Sequence, residues 1–141
     1  MKKYLFLVLI VSANYCLAQS KDETAIRQLL NDQTRFWNRG DIDSFMTTYW
    51  HSDSLMFIGK NGITYGWTNT LNNYKKNYPD LAAMGRLSFE ILLVKGLSSE
   101  YFQVIGKWNL QRSIGDLSGH YTLLLKKING NWFIIADHSS S

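Results

Sequence analysis

Few residues in this 141-residue chain could move a proton near neutral pH, and its three histidines come first. His138 follows Asp137 at the end of an apolar run that begins at Trp132. If that run is a strand, adjacent residues point to opposite faces, so only one of the pair can enter an interior. Strict alternation puts Trp132, Ile134, Ala136 and His138 on one face, and Phe133, Ile135, Asp137 and Ser139 on the other. The tryptophan marks the first face as the inner one, so His138 is the expected pocket residue. An imidazole there could serve as general acid or base. In the plainer reading, His138 and Asp137 only fasten the last strand.

His120 lies in phase with Thr122 and Leu124, either as a proton-transfer group or on a rim. Asp53 stands just before the first expected strand, as a base or as a capping residue. His138, His120 and Asp53 are therefore the candidate catalytic residues. His51 reads as a loop residue, and Glu90 as an outward carboxylate in phase with Ser88 and Leu92. An inward Glu90 would instead have a raised pKa. The histidines have no ligand spacing, so no metal is expected, and no cofactor motif is present. There is no Gly-rich phosphate loop and no nucleophile elbow.

The second group of candidates is aromatic, drawn from the 14% of residues that are Phe, Trp or Tyr. Trp37, Tyr49, Trp50, Tyr65, Trp67, Trp108 and Trp132 are the rings expected near a ligand. Such rings also build cores, where burying one large apolar side chain is worth about 1.5–3 kcal/mol. Buried Tyr and Trp each bring a polar atom that needs a partner.

The elements that must position these groups follow from periodicity. Ser20 and Glu23 form a capping box for a helix carrying Ala25, Ile26, Leu29, Leu30, Gln33, Phe36 and Trp37, with Gly40 as its stop. Asp41 caps a second helix with Ile42, Phe45, Met46, Tyr49 and Trp50 on one face. A strand from Ser54 to Ile58 turns at Lys60-Asn61-Gly62, where Asn-Gly suits two positive φ angles, and returns from Ile63 to Tyr65. A third helix spans Thr68 to Asn77 and stops at Pro79. The period then changes to two, giving strands over Leu87–Val94, Glu100–Arg112, Ser118–Ile128 and Asn131–Asp137. Short links make sequence neighbours antiparallel. The class is α+β: a curved antiparallel sheet of about six strands with three N-terminal-half helices enclosing a pocket. On the fourth strand Phe102, Val104, Gly106, Trp108 and Leu110 should face in. Gln103, Lys107, Asn109 and Gln111 should face solvent or a second copy in a homodimer.

Residues 1–18 read as a secretory signal peptide, with Lys2 and Lys3, an apolar run from Tyr4 to Val11 and a small residue, Ala18, at the cut. The run is short of the about 20 residues a membrane span needs. The domain is then 19–141, exported to periplasm or medium, with no membrane association after cleavage. Cys16 is the only cysteine and leaves with the leader, so the core alone must hold the fold. A lipoprotein would keep Cys16, but bulky Tyr15 before it fits that poorly. Losing Lys2 and Lys3 brings the formal +4 down by two, which gives no case for nucleic acid. With 45% hydrophobic and 18% charged residues, disorder and coiled coil are excluded.

Phe36-Trp37-Asn38-Arg39-Gly40-Asp41, Tyr49-Trp50, Tyr65-Gly66 and the closing Gly130 to Ser140 occur in an order that resembles one family. It is the nuclear-transport-factor-2-like superfamily, and more narrowly its SnoaL-like, ketosteroid-isomerase-like branch. The resemblance implies a cone-shaped fold but not one function, since that superfamily holds isomerases, cyclases, dehydratases and non-catalytic adaptors. It would place the isomerase's strand-borne base at Phe57 or Ile58, neither of which can move a proton. The first expectation is a domain that binds a small apolar or aromatic molecule, as a homodimer. The second is an isomerase, cyclase or dehydratase using His138 or His120, assisted by Tyr49, Tyr65 or Asp53. The third is a dimerisation module whose cavity is filled by its own side chains.

Overall fold

The computed structural model describes residues 21–141. The expected leader over 1–18, Cys16 and the Ser20 cap lie outside the described residues. Helix α1 occupies 21–37 and buries Ile26, Leu30, Gln33 and Trp37, which recur at helical spacing on one side. Its other side carries exposed pairs such as Arg27–Glu23, of the kind worth little singly. Gly40, at φ 75°, ends the turn that follows, and Asp41 caps α2 (Ile42–Met46) by accepting from the Ser44 amide at 2.9 Å.

The second helix is shorter than its spacing predicts. Tyr49 and Trp50 leave it because the sheet offers their backbone better partners. The Trp50 amide donates to Ile134 O at 2.9 Å, and the Ile134 amide donates to Thr48 O at 3.0 Å. Beyond it come β1 (Met56–Gly59), β2 (Gly62–Tyr65), α3 (Trp67–Asn77) and α4 (Leu81–Met84). The sequence reading missed α4, a single turn capped by Asp80. The chain then forms β3 (Arg86–Gly96), β4 (Tyr101–Gln111), β5 (Leu117–Ile128) and β6 (Asn131–Ser140). The β5–β6 turn has Asn129 and Gly130 both at positive φ, as a tight hairpin demands. At the β1–β2 turn only Gly62 has positive φ, so Asn61 does not play the part expected of it.

The strands form one sheet in the order β2-β1-β6-β5-β4-β3, with β2 and β3 at its edges. All neighbours are antiparallel except β1 and β6, which run parallel with Phe57 opposite Asp137. The expected all-antiparallel sheet is corrected in that one pair. The link from β6 back to β1 is not local in sequence, so hairpin geometry does not constrain its direction.

Two irregularities bend the sheet. The β3–β4 register shifts between Ile91 and Leu93, and the β5–β6 register between Leu124 and Leu125. In the second, Leu124 faces Ala136 but Leu125 faces Ile134, which leaves Ile135 as the extra residue of a bulge. The helices lie over the concave side, and Ile26, Met46, Leu55, Val104, Leu125 and Ile134 are buried between the layers.

Asn38 joins those layers. Its amide donates to Leu87 O at 3.0 Å, and its carbonyl oxygen accepts from the Leu87 amide at 2.7 Å. Asn38→Ala leaves both backbone groups unpaired at the start of β3, and is expected to cost about 1–3 kcal/mol in denaturant unfolding. Asn38→Asp, which keeps the acceptor alone, should fall between alanine and the wild type.

Candidate ligand pocket

Among the described residues, no side chain fills the hollow between helices and sheet. It has a volume of about 320 Å³. Its deep walls are Trp37 from α1, Phe45 from α2, Tyr49, Leu110 from β4, Tyr121 and Leu123 from β5, and Asp137 from β6, all buried. Its mouth is formed by exposed Lys60, Asn61, Asn73, Asn77, Leu117 and Ser140. The rings form one continuous wall. Trp37 meets Phe45 edge-on at 5.2 Å and Tyr78 at 4.8 Å, and Tyr74 meets Phe45 at 5.3 Å and Phe57 at 5.6 Å. Edge-to-face contacts of this kind hold rings rigidly. Trp37 is anchored further by donating Nε1–H to Met84 O at 3.1 Å.

Asp137 is the one charged side chain buried in this wall among the described residues. Its Oδ2 accepts from the Tyr49 hydroxyl at 2.7 Å, and its Oδ1 accepts from Ser139 Oγ at 2.9 Å. The Tyr74 hydroxyl lies 3.4 Å from that of Tyr49, so the two tyrosines line up toward the carboxylate. Burial pushes the Asp137 carboxyl up to about 6, and the bonds from Tyr49 and Ser139 and the nearby His138 only partly oppose it. Burial, then the Asp137 charge, drives Tyr49 and Tyr74 well above the usual phenol range. The same two causes raise Tyr121 to about 12. The arrangement can therefore hold a carboxyl that gains or loses a proton near neutrality, beside phenols that stay protonated and can donate.

This reverses the expected orientation of the Asp137–His138 pair. His138 is exposed, and Asp137 lines the cavity. The bulge at Ile135 is the reason: Trp132 and Ile134 are buried before it, and the phase slips by one residue, so Asp137 and Ser139 follow them inward. His120 and Asp53 are also exposed and line no part of the cavity, and His51 stacks on Trp67 at 4.2 Å. Glu90 faces out, 3.2 Å from Lys107. Among the described residues no three His, Cys, Asp or Glu side chains converge as metal ligands.

Of the seven aromatic candidates, Trp37, Tyr49 and Trp108 line the cavity. The other four do not. Trp132 is buried in the core and donates to Asp22 at 3.1 Å, and Trp67 donates to Met46 O at 2.9 Å. Trp50 is half-buried elsewhere, and Tyr65 is exposed on the edge strand β2. Sequence reasoning missed Phe45, Phe57, Tyr74, Tyr78, Phe89 and Tyr121 as lining residues. A signal existed for two groups. Tyr74 and Tyr78 are four apart on α3, and Tyr121 alternates with Leu123 and Leu125.

A bent six-stranded sheet closed on one side by helices, with a ring-walled hollow, defines a cone-shaped α+β pocket protein. Comparisons make this narrower. An NTF2-like protein of unknown function from Shewanella oneidensis MR-1 is 43% identical and superposes with a TM-score of 0.82, over 85% of this chain and 99% of that one. A ketosteroid isomerase-like protein from Erwinia carotovora atroseptica SCRI1043 is 19% identical, with a TM-score of 0.65 over 83% and 93%. An NTF2-like superfamily protein from Salmonella enterica serovar Typhimurium LT2 is 16% identical, with a TM-score of 0.69 over 87% and 92%. The last two share the fold alone. No family model matches the chain, and no curated protein matches it. On the strength of the Shewanella relative, the chain belongs to the nuclear-transport-factor-2-like family.

Proposed function

We propose that this chain is an exported domain that binds a small, mostly apolar ring compound in its cone. The observation that carries this is the hollow of about 320 Å³, which no described side chain fills and which nine aromatic residues help to line. That volume is at the lower end of small-ligand pockets. A dimerisation module with a plugged interior would have no such space. Export is supported by the leader-like residues 1–18. A homodimer is supported by Gln103, Lys107, Asn109 and Gln111 on the outward face of β4 and by the sheet edges β2 and β3, which a second copy would cover.

A second reading, proton transfer on the bound molecule, is favoured by one observation. Asp137 holds its carboxyl inside the cavity with the Tyr49 hydroxyl as partner. It would act as the general base or acid in place of the exposed histidines.

Native mass spectrometry of the exported chain tests the binding reading and reports the oligomer together. The expected result is a dimer carrying a small-molecule mass that denaturing conditions release. A ligand-free protein whose tryptophan emission also stays flat during titration with naphthol would reject it.

A further inference from the structure

His138 and His120 line no part of the cavity; they are neighbours on the opposite face of the sheet. Direct pairings carry one row across all six strands: Leu93, Ile105, Thr122, His138, Ile58 and Ile63. Paired residues share a face. Asp137 points into the hollow, so His138 beside it, and with it the whole row, points out. His120 belongs to the next row, opposite Ser140 and so diagonal to His138. On the other flank Gln103, Leu124, Ala136, Met56 and Tyr65 form a third row. The helices lie over the concave side, and no described element covers this outer face. Its four long strands and two short ones, at the usual spacing, give it about 800 Å². That is about the 800 Å² each partner buries in a stable interface of standard size. The central row holds no charged side chain while His138 is neutral. A two-fold contact sets a surface against itself, so an uncharged row fits its own copy without burying an unpaired charge.

We infer that two copies associate through this outer face and that protonation of His138 separates them. This rests on the homodimer reading above and names its surface and its control. His138 sits in mid-row between Thr122 and Ile58, neither of which can neutralise a proton's charge. The charged and titratable groups around it are few. On its own face they are His120, Lys107 opposite His120, Glu90 bound to Lys107 at 3.2 Å, and Lys60 two residues past Ile58. Behind the sheet is the Asp137 carboxyl, buried in the cavity wall. Covering the row takes His138 out of water, which penalises its charged form. The separate copies therefore bind the proton more readily than the dimer, and association weakens as the pH falls.

Sedimentation of the exported chain at pH 7.5 and pH 5.5 tests this. The wild type should be dimeric at the higher pH. Its dissociation constant should rise about a hundredfold at the lower one, because two imidazoles, ordinarily titrating near about 6.5, must each shed a proton to associate. His138→Gln should associate equally at both pH values. That variant keeps Asp137, which titrates in the same range but faces the hollow. Ile105→Lys and Thr122→Lys should each be monomeric at both, with the circular dichroism spectrum of the wild type. A wild-type dimer of unchanged affinity at pH 5.5 leaves the homodimer standing and overturns the switch. Acid dissociation that persists in His138→Gln overturns it as well. A dimer that survives both lysine substitutions uses another surface, which also refutes the inference. If the wild type is monomeric at pH 7.5, the homodimer reading falls and takes this one with it.

Discussion

Replacing Asp137 by asparagine is expected to make the protein more stable at pH 8 and to change little at pH 4. The carboxyl is 4% exposed, and burial raises it from the ordinary 3.8 to about 6. A raised carboxyl favours the folded state only while it is protonated. Its contribution is complete below about pH 4 and is lost as pH rises through about 6. The difference between the two values corresponds to about 3 kcal/mol. Wild-type protein should therefore lose that much from this one group between pH 4 and pH 8. Asparagine carries no charge at either pH, and its carbonyl oxygen can still accept from the Tyr49 hydroxyl. A net gain of about 2–3 kcal/mol at pH 8 follows, readable by urea unfolding at the two pH values. Equal stability of variant and wild type at pH 8 would mean that the carboxylate is better solvated than its burial indicates. A charge that weakens the fold where it stands, lining a cavity, is what a binding or proton-transferring residue looks like.

Gly106→Ala should damage the fold strongly at the pocket. A Cβ there would come 2.3 Å from the Tyr121 hydroxyl oxygen, 2.4 Å from its ring carbon and 2.7 Å from Glu90 O. Two of those atoms belong to a buried, rigid ring, and the third is backbone of the next strand. None can withdraw cheaply. The expected cost is about 2–3 kcal/mol, with Tyr121 displaced from the floor of the cavity. Tyr121→Phe in the same chain should not rescue it, because the ring carbon remains in the way. Tyr121→Ala removes that clash but deletes a buried ring at a cost of about 3–5 kcal/mol, so the two substitutions should show as coupled in a double-mutant cycle and not as a net rescue. Wild-type stability in Gly106→Ala would show that the sheet opens here more easily than its packing implies. The glycine thus has a local purpose: it lets the Tyr121 ring lie across the neighbouring strand.

Much of the architecture was legible along the chain. Ile26, Leu30 and Trp37 at helical spacing give α1, and the alternation of Phe102, Val104, Gly106, Trp108 and Leu110 gives the inward face of β4. Both signals are local, since a half-buried helix or strand writes its period into its own residues. The site was harder to read. Tyr49 was expected on a helix and is in the pocket wall because its backbone is bridged to Ile134, far off in sequence. Trp132 and Trp67 looked like ligand contacts, yet their indole nitrogens are satisfied by Asp22 and Met46. Nothing in the type or spacing of a tryptophan reveals which partner its N–H will find.

The amino-acid order by itself settled the kinds of element apart from α4, their sequence along the chain and the abundance of rings available to wall a hollow, because periodicity and turn chemistry act over a few residues. Whether Asp137 or His138 looks inward was decided only by the assembled sheet. One unpaired residue, Ile135, slips the phase of β6, and that slip depends on how β6 registers with β5. The parallel pairing that sets Phe57 beside Asp137 is likewise a contact between distant segments, which no local pattern encodes.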